Sequence, residues 1–265
     1  MSSLRLAARI ARRELRGGLA VSLATRGDAL RVQVSAGLLP ALPAVLAGVR
    51  RLCDLGADPA AVAQVLGPLA ADAPGLRVPG CFDGFEMAVR AVLGQQVTVR
   101  AAHTLAGRLV AGLGDPVHAE RPGLPGLTHF FPSAARVAGA SADDLGRLGI
   151  VRQRVAALQA LARAAADGQL DLGPAADVAA SIDRLKALPG IGPWTAQYIA
   201  LRALAWPDAW PSGDVALIKA LDARDARHAD ALAEAWRPWR GYATLHLWRR
   251  LAEGAAPWTA WKDVT

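Results

Sequence analysis

The segment Leu185–Ile199, which reads LKALPGIGPWTAQYI, constrains the fold of this chain more than any other stretch. Pro189 and Gly190 predict the end of a short helix, Gly192 permits a tight turn, and Pro193 suits the first position of a second helix. Because glycine has no Cβ, an anion can approach the unpaired N–H groups at the start of that second helix. A lone Gly-x-Gly would fit a plain helical hairpin, but here both flanking apolar patterns are also present. The segment therefore predicts two helices joined by a phosphate-binding glycine hairpin.

An acidic residue follows this hairpin, 22 residues after Gly192. Asp214 ends a loop that contains Pro211 and Gly213, and it directly precedes the apolar run Val215–Ile218. An Asp at that place is most simply a helix N-cap. The dipole at a helix start also favours an ionised carboxylate, so a capping role is compatible with a catalytic one.

The N-terminal part of the chain shows a different pattern. Two alternating runs, residues 19–23 and 30–34, flank the turn-forming residues 26–28 and predict a β-hairpin. One helix is expected to place four apolar residues on a single face: Leu42, Val45, Leu46 and Val49. A second, short helix is expected after it, from about Pro59 to Leu69.

These patterns predict a mainly α protein with three parts. Residues 1–78 are expected to form a small α+β subdomain, residues 79–254 an all-α domain, and residues 255–265 a C-terminal tail. Within the all-α domain Ser141 is expected to cap a short helix that ends near Leu148. A strand is indicated, at most, near residues 129–131.

The order of hairpin, Gly/Pro-rich loop and Asp resembles the helix-hairpin-helix GPD superfamily of DNA glycosylases, from about residue 82 to 248. Within that superfamily the chain is most similar to the DNA-3-methyladenine glycosylase II family. The likeness extends through residues 78–86, 89–97 and 236–243. Members with the N-terminal unit usually begin further upstream than this chain does. The resemblance implies a helix-hairpin-helix DNA glycosylase fold for the all-α part.

The resemblance also implies an activity: hydrolysis of the N-glycosidic bond of alkylated bases of the 3-methyladenine and 7-methylguanine type. Asp214 would be the catalytic carboxylate, and the product would be an abasic site. A glycosylase flips its target base out of the duplex. The family's base-stacking residues match Trp194 and Trp248, and Tyr198 is a third candidate because it lies four residues from Trp194 on the same helix face.

Residues expected to contact DNA follow from the same resemblance. Gly190 and Gly192 would bind DNA phosphates. Gln96 occupies the position of the side chain that fills the gap left by the flipped base, although many members have a bulky apolar residue there. An exposed or helix-capping glutamine is an equal alternative.

Some relatives cut the DNA strand through a Schiff-base lysine, and Trp194 occupies the position of that lysine. Lys186 and Lys219 are nearby but fit a solvated helix face. We therefore expect a monofunctional enzyme. The four cysteines that bind an iron–sulfur cluster in some relatives are missing, since the sequence has only Cys53 and Cys81. No metal and no cofactor are expected, and both cysteines are expected to be reduced core residues.

The charge of the chain fits a polyanionic partner. Lys plus Arg exceeds Asp plus Glu by 30 to 23, although a genome rich in arginine codons would give the same excess. We expect the partner to be double-stranded DNA with damaged bases, and the protein to be a monomer without membrane contact. It would be cytoplasmic in a bacterium and associate with the nucleoid when bound to DNA. Two alternatives stay open: a helix-hairpin-helix glycosylase for oxidised or mismatched bases, and a non-catalytic module that binds damaged DNA and has no need of Asp214.

Overall fold

The computed structural model describes residues 21–26, 29–34, 36–117 and 128–259. Within these ranges the chain has two strands and twelve α-helices, with three short 3-10 helices between them. The described part is thus mainly helical, as the sequence predicts. None of its helices combines the length and the apolar character that crossing a membrane would require.

The N-terminal unit begins with the expected β-hairpin. Strand β1 (Val21–Arg26) pairs antiparallel with β2 (Ala29–Val34), and Val21 lies opposite Val34. The predicted turn residues 27 and 28, like residues 19 and 20, lie outside the described part. A 3-10 helix, Ala36–Ala41, then leads into helix α1 (Leu42–Leu52).

One of the four residues predicted to form the buried face of α1 is exposed in the structure. Val45 and Val49 are fully or almost fully buried, but Leu46 is 42% exposed. Gly48 explains the difference, because the ring of Phe82 packs so closely against it that an added Cβ would lie 2.3 Å from Phe82 Cε1. The buried seam therefore runs through residues 45, 48 and 49, which turns Leu46 toward solvent.

The second predicted helix is α-helical over only part of its length. Helix α2 spans Pro59–Leu66, with the carboxylate of Asp58 accepting hydrogen bonds from two N–H groups at its start. Gly67 adopts a positive φ of 55°, which ends the α-helix. The chain continues as a 3-10 helix, Gly67–Ala70, so the predicted helical stretch reaches Leu69 with a change from α to 3-10 geometry at Gly67.

The rest of the described chain contains ten further α-helices and the third 3-10 helix, Glu234–Trp236. The α-helices are α3 (Gly84–Leu93), α4 (Val99–Leu113), α5 (Ala134–Ala138), α6 (Ala142–Arg147), α7 (Arg152–Ala166), α8 (Val178–Lys186), α9 (Pro193–Arg202), α10 (Val215–Ala220), α11 (Ala226–Ala233) and α12 (Arg240–Ala252). Ser141 caps α6 as predicted, accepting from the backbone N–H of Asp144. The strand considered near residue 129 is only a single bridge, from Pro116 to His129.

The core of the helical part is built around α3, α7 and α9. Helix α3 packs against both α7 and α9, while α8 lies on α9 and α10 packs on α12. Fully buried apolar side chains fill the space between them, among them Leu93, Leu158, Ile199 and Leu247. This packing brings the C-terminal end of α3 beside the start of α9.

Asp54 ties the N-terminal unit to the helical part. Its Oδ2 accepts hydrogen bonds from the Tyr242 hydroxyl at 2.7 Å and from the backbone N–H of Val78 at 3.0 Å. Arg77 donates to the carbonyl oxygen of the same Asp54. Burial, together with the Asp54 carboxylate, raises the pKa of Tyr242 well above its usual value, so this hydroxyl remains a donor.

Candidate active site

The glycine hairpin lies between α8 and α9. Gly190 has a positive φ of 77°, Ile191 is buried, and Gly192 is the N-cap of α9 without a side chain that caps the helix. Pro193 stands at the first helical position, as the sequence predicts. The preceding helix ends at Lys186, a few residues earlier than Pro189. A Cβ added at Gly192 would meet no heavy atom within 4 Å, so the start of α9 is open to a ligand.

Donors from three elements hold the Asp214 carboxylate. Its Oδ1 accepts from the backbone N–H of Leu217 at 2.9 Å, which makes Asp214 the N-cap of α10. Its Oδ2 accepts from the indole Nε1 of Trp194 on α9 at 2.7 Å. The indole Nε1 of Trp248 on α12 lies 3.4 Å from Oδ1. The side chain is thereby fixed in one orientation at the end of its loop.

Aromatic rings surround this carboxylate. Trp194 and Tyr198 are stacked, with ring centroids 5.2 Å apart and planes 7° apart, which confirms that they share one helix face. Trp248 is tilted against Tyr198 at 6.3 Å. One turn further along α9, the guanidinium of Arg202 lies 5.7 Å from the Tyr198 ring. The structure thus brings Trp194, Tyr198, Trp248 and Asp214 together.

A cavity of about 700 Å³ opens beside the hairpin. Trp194 and Asp214 line it, together with the predicted DNA-contacting residues Gln96, Gly190 and Gly192. Tyr198 and Trp248 lie outside this lining, where they contact Trp194 and Asp214 respectively. The cavity therefore joins the hairpin to the carboxylate.

Two glutamines follow α3 at the edge of the cavity. Gln96 is exposed and has a positive φ of 51°, a conformation that is uncommon for a residue other than glycine. Gln95 donates its side-chain amide to the Gly190 carbonyl at 2.9 Å and to Thr195 Oγ1 at 3.0 Å. Arg154 in turn donates to the Gln95 carbonyl at 2.6 Å. The loop with Gln96 is thus bonded directly to the hairpin.

Sequence reasoning missed several residues of this site. The sequence marks Gln95 only by its place beside Gln96, yet it is Gln95 that bonds to the hairpin. Val151, Arg154 and Val215 also line the cavity, and no sequence pattern marks them for that place.

Lys186 and Lys219 are exposed, and both cysteines carry protonated thiols. Lys186 forms an exposed ion pair with Asp183 at 2.8 Å, and Lys219 is exposed in the last turn of α10. Burial raises the pKa of both thiols, that of Cys81 to about 12, so both are protonated at neutral pH. Among the described residues, no group of three or more His, Cys, Asp or Glu side chains could hold a metal ion.

This arrangement defines a helix-hairpin-helix protein with an acidic residue at the end of the following loop. Residues 3–83 match the AlkA N-terminal domain family, and residues 89–222 match the HhH-GPD superfamily base excision DNA repair protein family. The chain belongs to the HhH-GPD superfamily of base excision DNA repair proteins.

Comparison of the whole chain with individual proteins gives the same assignment. The chain is 42% identical, over 93% of its length, to a probable bifunctional transcriptional activator/DNA repair enzyme AlkA of Mycobacterium tuberculosis, and it spans only about half (51%) of that relative. It is 39% identical to DNA-3-methyladenine glycosylase 2 of Escherichia coli, over 83% of this chain and 76% of that protein. The solved 3-methyladenine DNA glycosylase of Archaeoglobus fulgidus shares the fold, with a TM-score of 0.73 at 20% identity, covering 88% of this chain and 82% of that one.

Proposed function

We propose that this protein is a monofunctional DNA glycosylase that hydrolyses the N-glycosidic bond of alkylated bases and leaves an abasic site. The observation that carries the proposal is the Asp214 carboxylate, held by two indoles and lining the same cavity as the hairpin. A capping Asp would need only the bond to Leu217, so the contacts with Trp194 and Trp248 favour a second role. The name of the E. coli relative supports the choice of substrate.

The hairpin supplies the contact with DNA in this proposal. Gly190 and Gly192 are exposed, and the start of α9 offers N–H groups without a capping side chain to a phosphate oxygen. Such contacts position the protein on the duplex without reading sequence. Gln96 lies across the same cavity, where an exposed side chain could occupy the gap left by a flipped base. A structural neighbour from Schizosaccharomyces pombe was solved in complex with abasic DNA, in agreement with a DNA partner.

Asp214 supplies the chemistry. Breaking the bond between base and sugar develops positive charge on the deoxyribose, and a carboxylate stabilises that charge. At about 4 Å and an effective dielectric near 20 the interaction is worth roughly 4 kcal/mol, or about a thousandfold in rate. Activation of the attacking water is a second task for the same group. An alkylated purine that carries positive charge is already a good leaving group, so the reaction does not require a separate general acid.

The aromatic cluster supplies base recognition. Tyr198 covers one face of Trp194, so the flipped base would stack on the face of Trp194 toward the cavity. Trp248, which lies outside the cavity lining, is proposed to assist base binding through its contacts with Asp214 and Tyr198. A cation above an aromatic ring gains about 0.5–2 kcal/mol, so selectivity should follow the charge and lability of the lesion. In this proposal the protein works as a monomer and needs no cofactor.

The direct test is to incubate the protein with methylated duplex DNA and to identify the released bases. We expect release of both 3-methyladenine and 7-methylguanine, with the more labile base leaving faster. Asp214→Asn should lower the rate about a thousandfold while duplex binding persists, because Asn can still cap α10. Asp225→Asn, which changes the N-cap of α11, is the matched control. Efficient removal of 8-oxoguanine or uracil without methylated purines, or excision by Asp214→Asn within about tenfold of the parent, would refute the proposal.

A further inference from the structure

The loop that ends at Asp214 is bonded to a carboxylate on another helix. Asp230 of α11 accepts from the indole Nε1 of Trp210 on its Oδ1 at 2.8 Å, and from the Ser212 hydroxyl on its Oδ2 at 2.7 Å. Each oxygen of Asp230 therefore carries one donor from the loop. Both donors belong to residues within four positions of Asp214.

The same loop is also attached to α9. Gln197 accepts from the backbone N–H of Trp210 at 3.1 Å, and Trp210 is 5% exposed. Trp194, which donates to Asp214, lies three residues earlier on the same helix. The loop is thus held between α9 and α11 at Trp210, and again at its end.

The last residues of the loop transmit this attachment to Asp214. The backbone N–H of Ser212 donates to the Trp210 carbonyl at 2.8 Å, and that of Asp214 donates to the Pro211 carbonyl at 3.1 Å. Gly213, with a φ of 79°, is the only residue between Ser212 and Asp214. A single residue therefore separates Asp214 from Ser212, whose hydroxyl is hydrogen-bonded to Asp230.

We propose that Asp230 is a positioning residue, which sets the place of the Asp214 carboxylate by holding Trp210 and Ser212. This inference rests on the proposed catalytic role of Asp214. Displacing a catalytic group by about 1 Å can cost roughly a hundredfold in rate, so a loop held less firmly would slow catalysis without weakening the hairpin's hold on DNA. Asp230 acts through hydrogen-bond geometry, and its negative charge is dispensable.

Two replacements of Asp230 separate geometry from charge. Asp230→Leu removes both acceptors and keeps the branched shape of the side chain, with two larger methyl groups in place of the oxygens. Asp230→Asn removes the charge but keeps both contacts, because its oxygen can accept from the indole while its amide donates to the Ser212 hydroxyl, which can also accept. We expect Asp230→Leu to lower the single-turnover rate of 7-methylguanine release by roughly tenfold to a hundredfold, with Asp230→Asn within a few-fold of the parent. Affinity for a duplex that contains a stable abasic-site analogue should stay unchanged in both.

Three further variants complete the experiment. Ser212→Ala removes one donor with little change in volume, so it tests the inference even if Asp230→Leu does not fold, and it should lower the rate without lowering affinity. Asp225→Asn, which removes the same charge from α11, should have no effect. Asp214→Asn reports separately on the proposed function. The positioning role would be overturned if either Asp230→Leu or Ser212→Ala kept the parental rate. It would also be overturned if Asp230→Leu and Asp230→Asn lost the same amount of rate, or if only DNA affinity fell. These outcomes count whether or not Asp214→Asn is inactive.

Discussion

The indole Nε1 of Trp194 donates a 2.7 Å hydrogen bond to Asp214, and the face of the same indole is stacked on Tyr198. One side chain at the start of α9 thus has two contacts of different kinds. Its N–H fixes a carboxylate 20 residues further along the chain, and its ring lines the cavity. The two contacts can be separated by mutation, because phenylalanine keeps a ring and has no N–H.

Trp194→Phe is expected to slow base excision while leaving folding intact. A hydrogen bond to a charged group is worth about 1.5–3 kcal/mol, which corresponds to roughly a tenfold to hundredfold loss of rate. Single-turnover release of methylated bases measures the effect. Trp239→Phe, whose ring packs edge-on against Tyr242, is the matched control. A Trp194→Phe rate within twofold of the parent would show that the indole N–H does not matter for catalysis.

Gly192→Ala is expected to weaken DNA binding without lowering stability. Gly192 has a φ of −84°, and its added Cβ would contact no protein atom, so the methyl group projects only toward the ligand. Gly190→Ala should lower both affinity and stability, because a φ of 77° costs a side chain roughly 1–2 kcal/mol and its Cβ would lie 3.0 Å from Ala157. Fluorescence anisotropy and thermal melts distinguish the two variants.

For this glycine test, Gly107→Ala in α4 is the control, since its added Cβ also meets open space. The loss at Gly192 should be the same on damaged and undamaged duplex. A loss on damaged duplex alone would place the hairpin in base recognition instead of phosphate binding.

Sodium borohydride is expected to trap no covalent adduct between this protein and a lesion-bearing duplex. The sequence resemblance implies that Trp194 replaces the Schiff-base lysine of strand-cutting relatives. Lys186 is paired with Asp183, and Lys219 is exposed at the far end of α10. Denaturing gel electrophoresis after reduction measures the adduct. An adduct that disappears in Lys186→Arg or Lys219→Arg would identify a lyase activity and contradict the prediction.

Acidification is expected to destabilise the protein partly through His246. The side chain is 2% exposed, and burial, reinforced by Arg249 and opposed by Asp72, lowers its pKa below the usual 6.5. The neutral ring is therefore favoured in the folded state. As the pH falls below 6.5, the unfolded chain binds the proton first, so this stabilisation is complete above 6.5 and is lost as the pH falls through the lower, folded-state pKa.

Thermal melts between neutral pH and about pH 5 measure this loss of stability. His246→Met should melt with a smaller dependence on pH than the parent, and His103→Gln, exposed on α4, should keep the parental dependence. An unchanged pH dependence in His246→Met would rule out this histidine as the source.

The hairpin and the capping Asp could be predicted because their signals are local. Gly190, Gly192 and Pro193 have backbone requirements that few other residues meet, and Asp214 directly precedes an apolar helix. The face of α1 was predicted less well, because Leu46 fits the helical period as well as its neighbours do. The close approach of Phe82 to Gly48, which decides the face, joins residues in different elements.

The supporting contacts of the site could not be predicted for the same reason. Gln95 reaches Gly190 across 95 residues, and Asp230 reaches Ser212 across 18. Each is an ordinary polar residue in its own sequence neighbourhood. Only the packing of α3, α9 and α11 brings these partners together, so their roles depend on the tertiary structure.

The hydrogen bond from Tyr242 to Asp54 bears on how far the chain could be shortened. Asp54 lies in the segment that matches the N-terminal family, whereas Tyr242 lies beyond residue 222, where the second match ends. Helix α12 carries both Tyr242 and Trp248, whose indole approaches Asp214. A minimal catalytic fragment cut to the matched residues 89–222 would lose that indole, and one that kept α12 but lacked the N-terminal unit would leave the buried Tyr242 hydroxyl without its acceptor.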